Sequence, residues 1–283
     1  MPEGWEWDET LFLGTAAYYV QGRLPYAPGL PNALREALAL DGQGRLLDVG
    51  CGPGVLALAL APRFAEVVGI DPDAGMLEEA ARRAADARIG NARWVQLRAE
   101  DLPAGLGAFR AATFGQSFHW MDRDRVAATI LAMLEPGGVF VHISDLKTPP
   151  APIADPPYPP PPHEAILSLV RHVLGPVRRA GQGVLLHGSP SGEAAVLSRA
   201  GFGERERLVV PSGEVLTRTT DDVVAAVFSL SGSAPHLFGA RLAEFETALR
   251  TLLHAASPAD RFAERAPDTE VMIWRKAQRG YNR

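Results

Sequence analysis

The sequence predicts an α/β fold: a doubly wound, mostly parallel sheet with helices on both faces and a helical cap. Three observations predict it. Short apolar runs alternate with helix-period runs from residue 32 to residue 144, the rhythm of repeated strand–helix–strand units. The stretch LLDVGCGPG (46–54) makes a glycine turn between one apolar run and the next helical one. Late in the chain no crossover separates the apolar runs at 205–211 and 269–275, so those two can pair antiparallel at a sheet edge.

Taken in order, NALREALAL (32–40) has helical periodicity, RLLDVG (45–50) is a short buried strand and VLALALAPRF (55–64) a helix. EVVGID (66–71) is the second strand. DAGMLEEAARRAADA (73–87) is amphipathic, with Asp73 placed to cap its first turn. ARWVQLR (92–98) alternates as a strand; AATFGQ (111–116) and GVFVHIS (138–144) are two more, around the helix RVAATILAML (125–134). The rhythm breaks at LKTPPAPIADPPYPPPP (146–162). Proline lacks the N–H and fixes φ, so this is a loop or polyproline segment, read either as a surface linker or as the start of a cap. HEAILSLVRHVLGPV (163–177), EAAVLSRAGF (193–202), DDVVAAVFSLSG (221–232) and 237–256 read as helices, RERLVVP (205–211) and TEVMIWR (269–275) as strands. The domain reading is an N-terminal helical lid segment (1–44), a ligand-binding core (45–145), a proline-rich insertion and cap (146–190), and the rest of the sheet with a helical substrate lid (191–283).

Composition narrows the function classes. With a net charge of −5 and no long basic run, a nucleic-acid partner has little electrostatic support. A single cysteine, Cys51, excludes an internal disulfide framework. No apolar stretch reaches membrane-spanning length, and the N-terminus has no apolar signal core. The expectation is a cytoplasmic protein with no membrane and no nucleic-acid partner. No His/Cys/Asp cluster has metal-ligand spacing, so no metal is expected.

The glycine turn is the sharpest chemical signal. Close glycines at a helix N-terminus offer bare N–H donors and a positive dipole end. A dinucleotide fingerprint needs G-x-G-x-x-G. Here Gly50, Gly52 and Gly54 are followed by Val55 where the third glycine would stand, and Asp48 precedes them. A carboxylate beside the turn repels a pyrophosphate and suits a cation. Asp71, ending the second strand, can accept two ribose hydroxyls. A ribose without phosphate and with a cationic tail describes S-adenosylmethionine. Each position also has a plainer reading: Asp48 as a loop cap, Asp71 as a turn residue before Pro72, Cys51 as inert packing.

LLDVGCGPG, VVGIDPDAGML, RAEDLP, FGQSFHWMD and LEPGGVFV, in that order over 45–145, resemble the motifs of class I S-adenosylmethionine-dependent methyltransferases. AAYYVQGRLPYAP (16–28) resembles a subgroup whose upstream Tyr and Arg close over the cofactor, the methyltransferase type 11 or trans-aconitate-like enzymes. The resemblance implies a Rossmann-like, seven-stranded, mostly parallel sheet with an antiparallel edge strand, and S-adenosyl-L-methionine as cofactor. It implies that Gly50, Cys51, Gly52 and Gly54 pack on the methionine portion, with Asp48 orienting the turn and receiving the amino group through water. Asp71 and Pro72 would meet the ribose, and Met76 the adenine. Glu100, Asp101 and Leu102 would cap the adenine amine, backbone carbonyls near Gly50 and Gln116 would face the ammonium group, and Tyr19 and Arg23 would approach the carboxylate. Glu100 and Asp101 are equally ordinary turn residues, Met76 equally core, and Arg23 equally a solvated charge. The sequence departs from the family at Arg110, where an acidic residue is usual.

Methyl transfer from a sulfonium needs positioning and water exclusion, and a base only when the acceptor is a hydroxyl or carbon acid. His119 is the candidate base, with packing on Trp120 as its alternative. Phe118 and Trp120 are candidates to line the acceptor pocket, or else core. His163, His172, His187 and His236 read as surface histidines; Arg171, Arg178 and Arg179 read as an exposed helix face or a basic pocket. The leading expectation is transfer to oxygen of a small organic acceptor, a hydroxyl or a carboxylate. The alternatives are C-methylation of a quinone-like ring and a non-catalytic binding module. An NAD-dependent oxidoreductase is disfavoured by the missing glycine and by the lack of a Tyr-x-x-x-Lys pair.

Overall fold

A computed structural model of the protein describes residues 8, 10–147, 153–176, 179–180, 183–184 and 192–276. Strands β1 (Arg45–Val49), β2 (Glu66–Asp71), β3 (Ala92–Gln96), β4 (Phe109–Gly115) and β5 (Leu134–Asp145) are parallel, as short apolar runs separated by helices require. Helices α1 (Ala16–Gly22) and α2 (Leu30–Ala37) precede the sheet; α3 (Val55–Leu60), α4 (Ala74–Asp86) and α5 (Arg123–Met133) cross between strands. Asp73 caps α4 as expected, its side chain accepting from the Met76 N–H at 3.0 Å.

After β5 come α6 (His163–Leu174), the two-residue strands β6 (Arg179–Ala180) and β7 (Gly183–Val184), and α7 (Glu193–Ala200). Then follow β8 (Phe202–Val210), β9 (Val215–Thr219), α8 (Thr220–Phe228), α9 (Leu242–Ala256), β10 (Arg261–Arg265) and β11 (Thr269–Lys276). The main sheet has the order β3-β2-β1-β4-β5-β11-β8. Its antiparallel strand, β11, lies between β5 and β8, one place in from the edge. The order reverses between β1 and β4, the switch point where open α/β sheets bind ligands.

Successive strand residues serve opposite faces. Leu47, Val49, Val68, Ile70, Phe114 and Phe140 face a core completed by α5 and α7, where the Phe114 and Phe140 rings stack 4.3 Å apart. Leu46, Val67, Ala111 and Val141 face the other core, with α2 and α3. A third core forms the cap: α6, α8 and α9 close around Phe228, Phe238, Phe245 and Phe262.

The sequence reading assigned no strands to 215–219 or 261–265, yet β9 and β10 pair antiparallel beneath the cap helices. Both are five residues long and, among the described residues, pair only with each other, and neither carries the apolar run that marks the central strands. The proline segment from Pro156 has no regular structure. Its end nevertheless belongs to the cap, because the Pro159 carbonyl accepts the Ala263 N–H of β10 at 3.0 Å. Among the described residues no single helix is long and apolar enough to cross a membrane.

Candidate active site

Two chambers open at the carboxyl ends of β1, β2 and β4. The edge chamber, about 620 Å³, runs along the tips of β2 and β3. The cap chamber, about 640 Å³, lies under α6 and α8. Tyr19, Gly50, Gly52, Gly115 and Gln116 line both, so the chambers meet at the glycine turn.

The turn is built for close approach. Gly50 has φ +65°, and a Cβ there would sit 2.7 Å from the Ser117 Cβ, so only glycine fits. Ser117 is locked in turn, its hydroxyl donating to the Val49 carbonyl at 2.6 Å. Gly54, also left-handed, is the residue before α3 and packs on Trp94. It lines neither chamber, and its place in the turn is fixed by packing against Trp94 and Ala80.

Asp48 is 1 % exposed and lines the cap chamber. One of its oxygens accepts the Thr113 hydroxyl at 2.7 Å, the other the Ala57 N–H at 3.2 Å. Burial pushes its carboxyl up to about 7. Asp71 lines the edge chamber, accepting the Gly52 N–H at 2.8 Å and the Asp73 N–H at 3.0 Å. Burial raises it to about 6. Each carboxylate oxygen has a second lone pair, so Asp71 ties the glycine turn to β2 and can still accept from hydroxyls in the chamber.

Pro72, Met76, Glu100 and Asp101 also line the edge chamber. Glu100 spends one oxygen on the Asp122 N–H at 2.8 Å. Leu102 lines neither chamber; it is buried in the sheet core, because its apolar side chain packs beneath α5 instead of toward the opening. Cys51 is buried in the wall of the cap chamber, and burial pushes its thiol well above the usual range.

At the junction the Arg23 guanidinium lies 4.9 Å over the Tyr19 ring and donates to the Ser229 carbonyl at 2.9 Å. Its Nε is buried and has no hydrogen-bond partner among the described residues. An unpaired cationic donor of this kind is costly unless a ligand completes it. The group the sequence implies fits these residues: a carboxylate for the Arg23 Nε, ribose hydroxyls for Asp71.

Within the aromatic triplet, Phe118 and His119 take the packing alternatives and not the acceptor-facing roles. Phe118 is fully buried between Phe114 and Phe140 and cannot line an acceptor pocket. Trp120 lines the edge chamber, not the cap chamber. His119 lies against Trp120, ring centroids 4.6 Å apart, and lines neither chamber.

Sequence reasoning missed Asp145, Tyr26 and the inner face of α6. Asp145 ends β5 in the cap chamber, and burial raises its carboxyl while Gln116 and Arg23 pull it down. The same strand-end logic that found Asp71 would have found it. The α6 face (His163, Ile166, Leu167, Val170, Arg171, Leu174) lines the cap chamber, and helical spacing alone could not say what it covers. Of the arginines read together, Arg171 is in that wall, while Arg178 and the Arg179 side chain lie outside the described residues, as does His187.

Residues 46–138 match the model of a methyltransferase domain. An uncharacterized methyltransferase of Mycobacterium tuberculosis is 33% identical over 134 residues, 46% of this chain and 51% of the relative. A probable S-adenosylmethionine-dependent methyltransferase of Saccharomyces cerevisiae is 30% identical over 130 residues, 44% of this chain and 43% of the relative. The chain spans about half the length of the curated relatives it matches. Among solved structures, the cyclase SpnF superposes with a TM-score of 0.53 at 22% identity, covering 94% of this chain and 93% of its own. That likeness is one of fold, and it shows that the fold alone does not decide the reaction. The match over 46–138 covers the switch point of this Rossmann-like sheet with a methyltransferase-domain pattern, and the methyl donor that pattern implies is S-adenosylmethionine.

Proposed function

We propose that the protein transfers the methyl group of S-adenosylmethionine to an oxygen of a small organic acceptor. The carrying observation is the pair of chambers that meet at Gly50, Gly52, Gly115, Gln116 and Tyr19. The edge chamber presents Asp71 and a run of polar groups, the surroundings a nucleoside needs. The cap chamber is walled by Ile166, Val170, Val223 and Val227, the surroundings an apolar acceptor needs. When bound, the cofactor supplies an activated methyl group. This chain's residues then bind, orient and exclude water: Asp71 holds the ribose, Arg23 and Tyr19 the carboxylate end, and the cap shuts the acceptor in.

A cavity of about 640 Å³ suits a metabolite-sized molecule and not a polymer. The trans-aconitate-like resemblance adds a carboxylate as one acceptor oxygen, and Arg171 in the cap wall is a cation that would draw it in. Calorimetric titration with S-adenosylhomocysteine and with NAD tests the donor site. Binding of NAD without S-adenosylhomocysteine overturns the reading. Transfer of labelled methyl groups into a pool of small hydroxylated and carboxylic acceptors tests the reaction; cofactor binding with no methylated product leaves a binding module instead.

A further inference from the structure

The cap chamber's wall includes a hydrogen-bonded set of three titratable side chains that the cofactor site does not use. His163, the first residue of α6, places Nε2 3.2 Å from a Glu264 oxygen on β10. The other Glu264 oxygen accepts from Arg218 Nη1 at 2.9 Å. Arg218, on β9, is 5 % exposed, and its Nη2 donates to the carbonyls of Gly22 and Asp222, both at 2.8 Å. Two backbone carbonyls thus fix Arg218, Arg218 fixes Glu264, and Glu264 fixes His163. All three line the cap chamber. The chain of contacts also reaches the junction, because Gly22 precedes Arg23, whose guanidinium covers Tyr19.

The His163 side chain is 68% exposed, so its pair with Glu264 contributes little to stability by itself. A buried arginine spent on orienting the glutamate is a larger commitment, and it matches the arrangement of a base, an orienting carboxylate and a supporting group. With Nε2–H donating to Glu264, the neutral ring carries its lone pair on Nδ1. The charged groups facing His163 are Glu264 from β10 and Arg218 from β9. The hydrogen bond to Glu264 outweighs burial and raises the imidazole above its ordinary value.

We propose that His163 is the proton acceptor for an apolar, hydroxyl-bearing acceptor such as a phenol, with Glu264 and Arg218 as positioning residues. The proposal rests on the methyl-transfer reading above. The acceptor's O–H proton passes to Nδ1 as an oxygen lone pair forms the bond to the methyl carbon. The electron pair of the sulfur–methyl bond stays on sulfur, leaving a neutral thioether. The imidazolium formed is stabilised by Glu264, and the proton is later lost to water.

The test compares wild type, His163→Gln and Glu264→Gln on para-cresol and para-nitrophenol, with S-adenosylhomocysteine affinity measured for each. Para-cresol must lose a proton during transfer, whereas para-nitrophenol is largely ionised at mildly alkaline pH. The expected result is a loss of roughly 100-fold or more on para-cresol for His163→Gln, little loss on para-nitrophenol, and unchanged S-adenosylhomocysteine affinity. Glu264→Gln should move the acid limb of kcat/KM, and the NMR titration midpoint of the His163 ring, to lower pH. Equal losses on both phenols, no loss on either, or an unmoved midpoint overturns the proposal. So does a wild type that methylates neither phenol; retained S-adenosylhomocysteine binding in that case leaves the donor-site reading standing.

Discussion

Gly22→Ala tests whether α1 must lie close against the cap for the donor site to form. Gly22 ends α1, and a Cβ there would fall 2.3 Å from the Ala225 carbonyl carbon and 2.4 Å from the Ala226 nitrogen of α8. Both are backbone atoms, so no side chain can rotate away, and reaching an ordinary 3.4 Å contact takes a separation of roughly 1 Å. Two effects oppose each other. Replacing a helical glycine by alanine gains about 0.5–1 kcal/mol in chain entropy. Overpacking a closed contact costs about 1–3 kcal/mol, and here it wins because only backbone can yield. The same separation stretches the 2.8 Å bond from Arg218 to the Gly22 carbonyl out of range and displaces Arg23, the next residue. Losing one charge-assisted contact of about 1.4 kcal/mol weakens S-adenosylhomocysteine about tenfold. The assay is calorimetric titration beside scanning calorimetry, with the melting temperature expected to fall by about 2–4 °C per kcal/mol. A variant with unchanged affinity and unchanged melting temperature would refute the coupling between α1 and the site.

Asp71→Asn should weaken S-adenosylhomocysteine by about 10- to 100-fold, the worth of a charge-assisted hydrogen bond at about 1.5–3 kcal/mol; titration showing wild-type affinity would mean that Asp71 does not hold the ribose. Burial raises Asp48 to about 7 and Asp71 to about 6 in the folded protein, so each binds its proton more tightly folded than unfolded. Their contribution is fully present below the unfolded value near pH 4 and is lost as pH rises through about 6 and 7. Asp48→Asn should therefore gain in melting temperature relative to wild type as pH rises from about 5 to about 8, and parallel pH profiles would contradict the assigned burial cost. His119→Ala should leave turnover unchanged, because the ring lies against Trp120 outside both chambers; loss of turnover with intact cofactor binding would return His119 to the reaction.

Much of the fold was legible in the sequence because its signals are local. Apolar runs of strand length, the amphipathic 74–86 helix with its Asp73 cap, and the Gly50 turn each depend on neighbours a few residues apart. Asp71 was legible for the same reason: it ends the next strand after the glycine turn and its helix. β9 and β10 were not, since their pairing joins Val215 to Arg265 and leaves no period in either segment. Phe118 and Trp120 sit two residues apart on one short turn, yet one is sealed in the core and the other lines the edge chamber. Nothing in FHW distinguishes them until the β4 and β5 side chains are in place.

The sequence by itself determined the alternation of strands and helices, the closeness of the backbone at Gly50, and the carboxylate at the tip of β2. Tertiary structure alone decided what lines the cap chamber. Asp145, His163, Arg218 and Glu264 share its wall, and the Arg218 link to Gly22 spans 196 positions of the chain. The physical reason is range: backbone conformation answers to immediate neighbours, whereas a cavity wall is assembled by the packing of segments whose order in the chain says nothing of their distance in space.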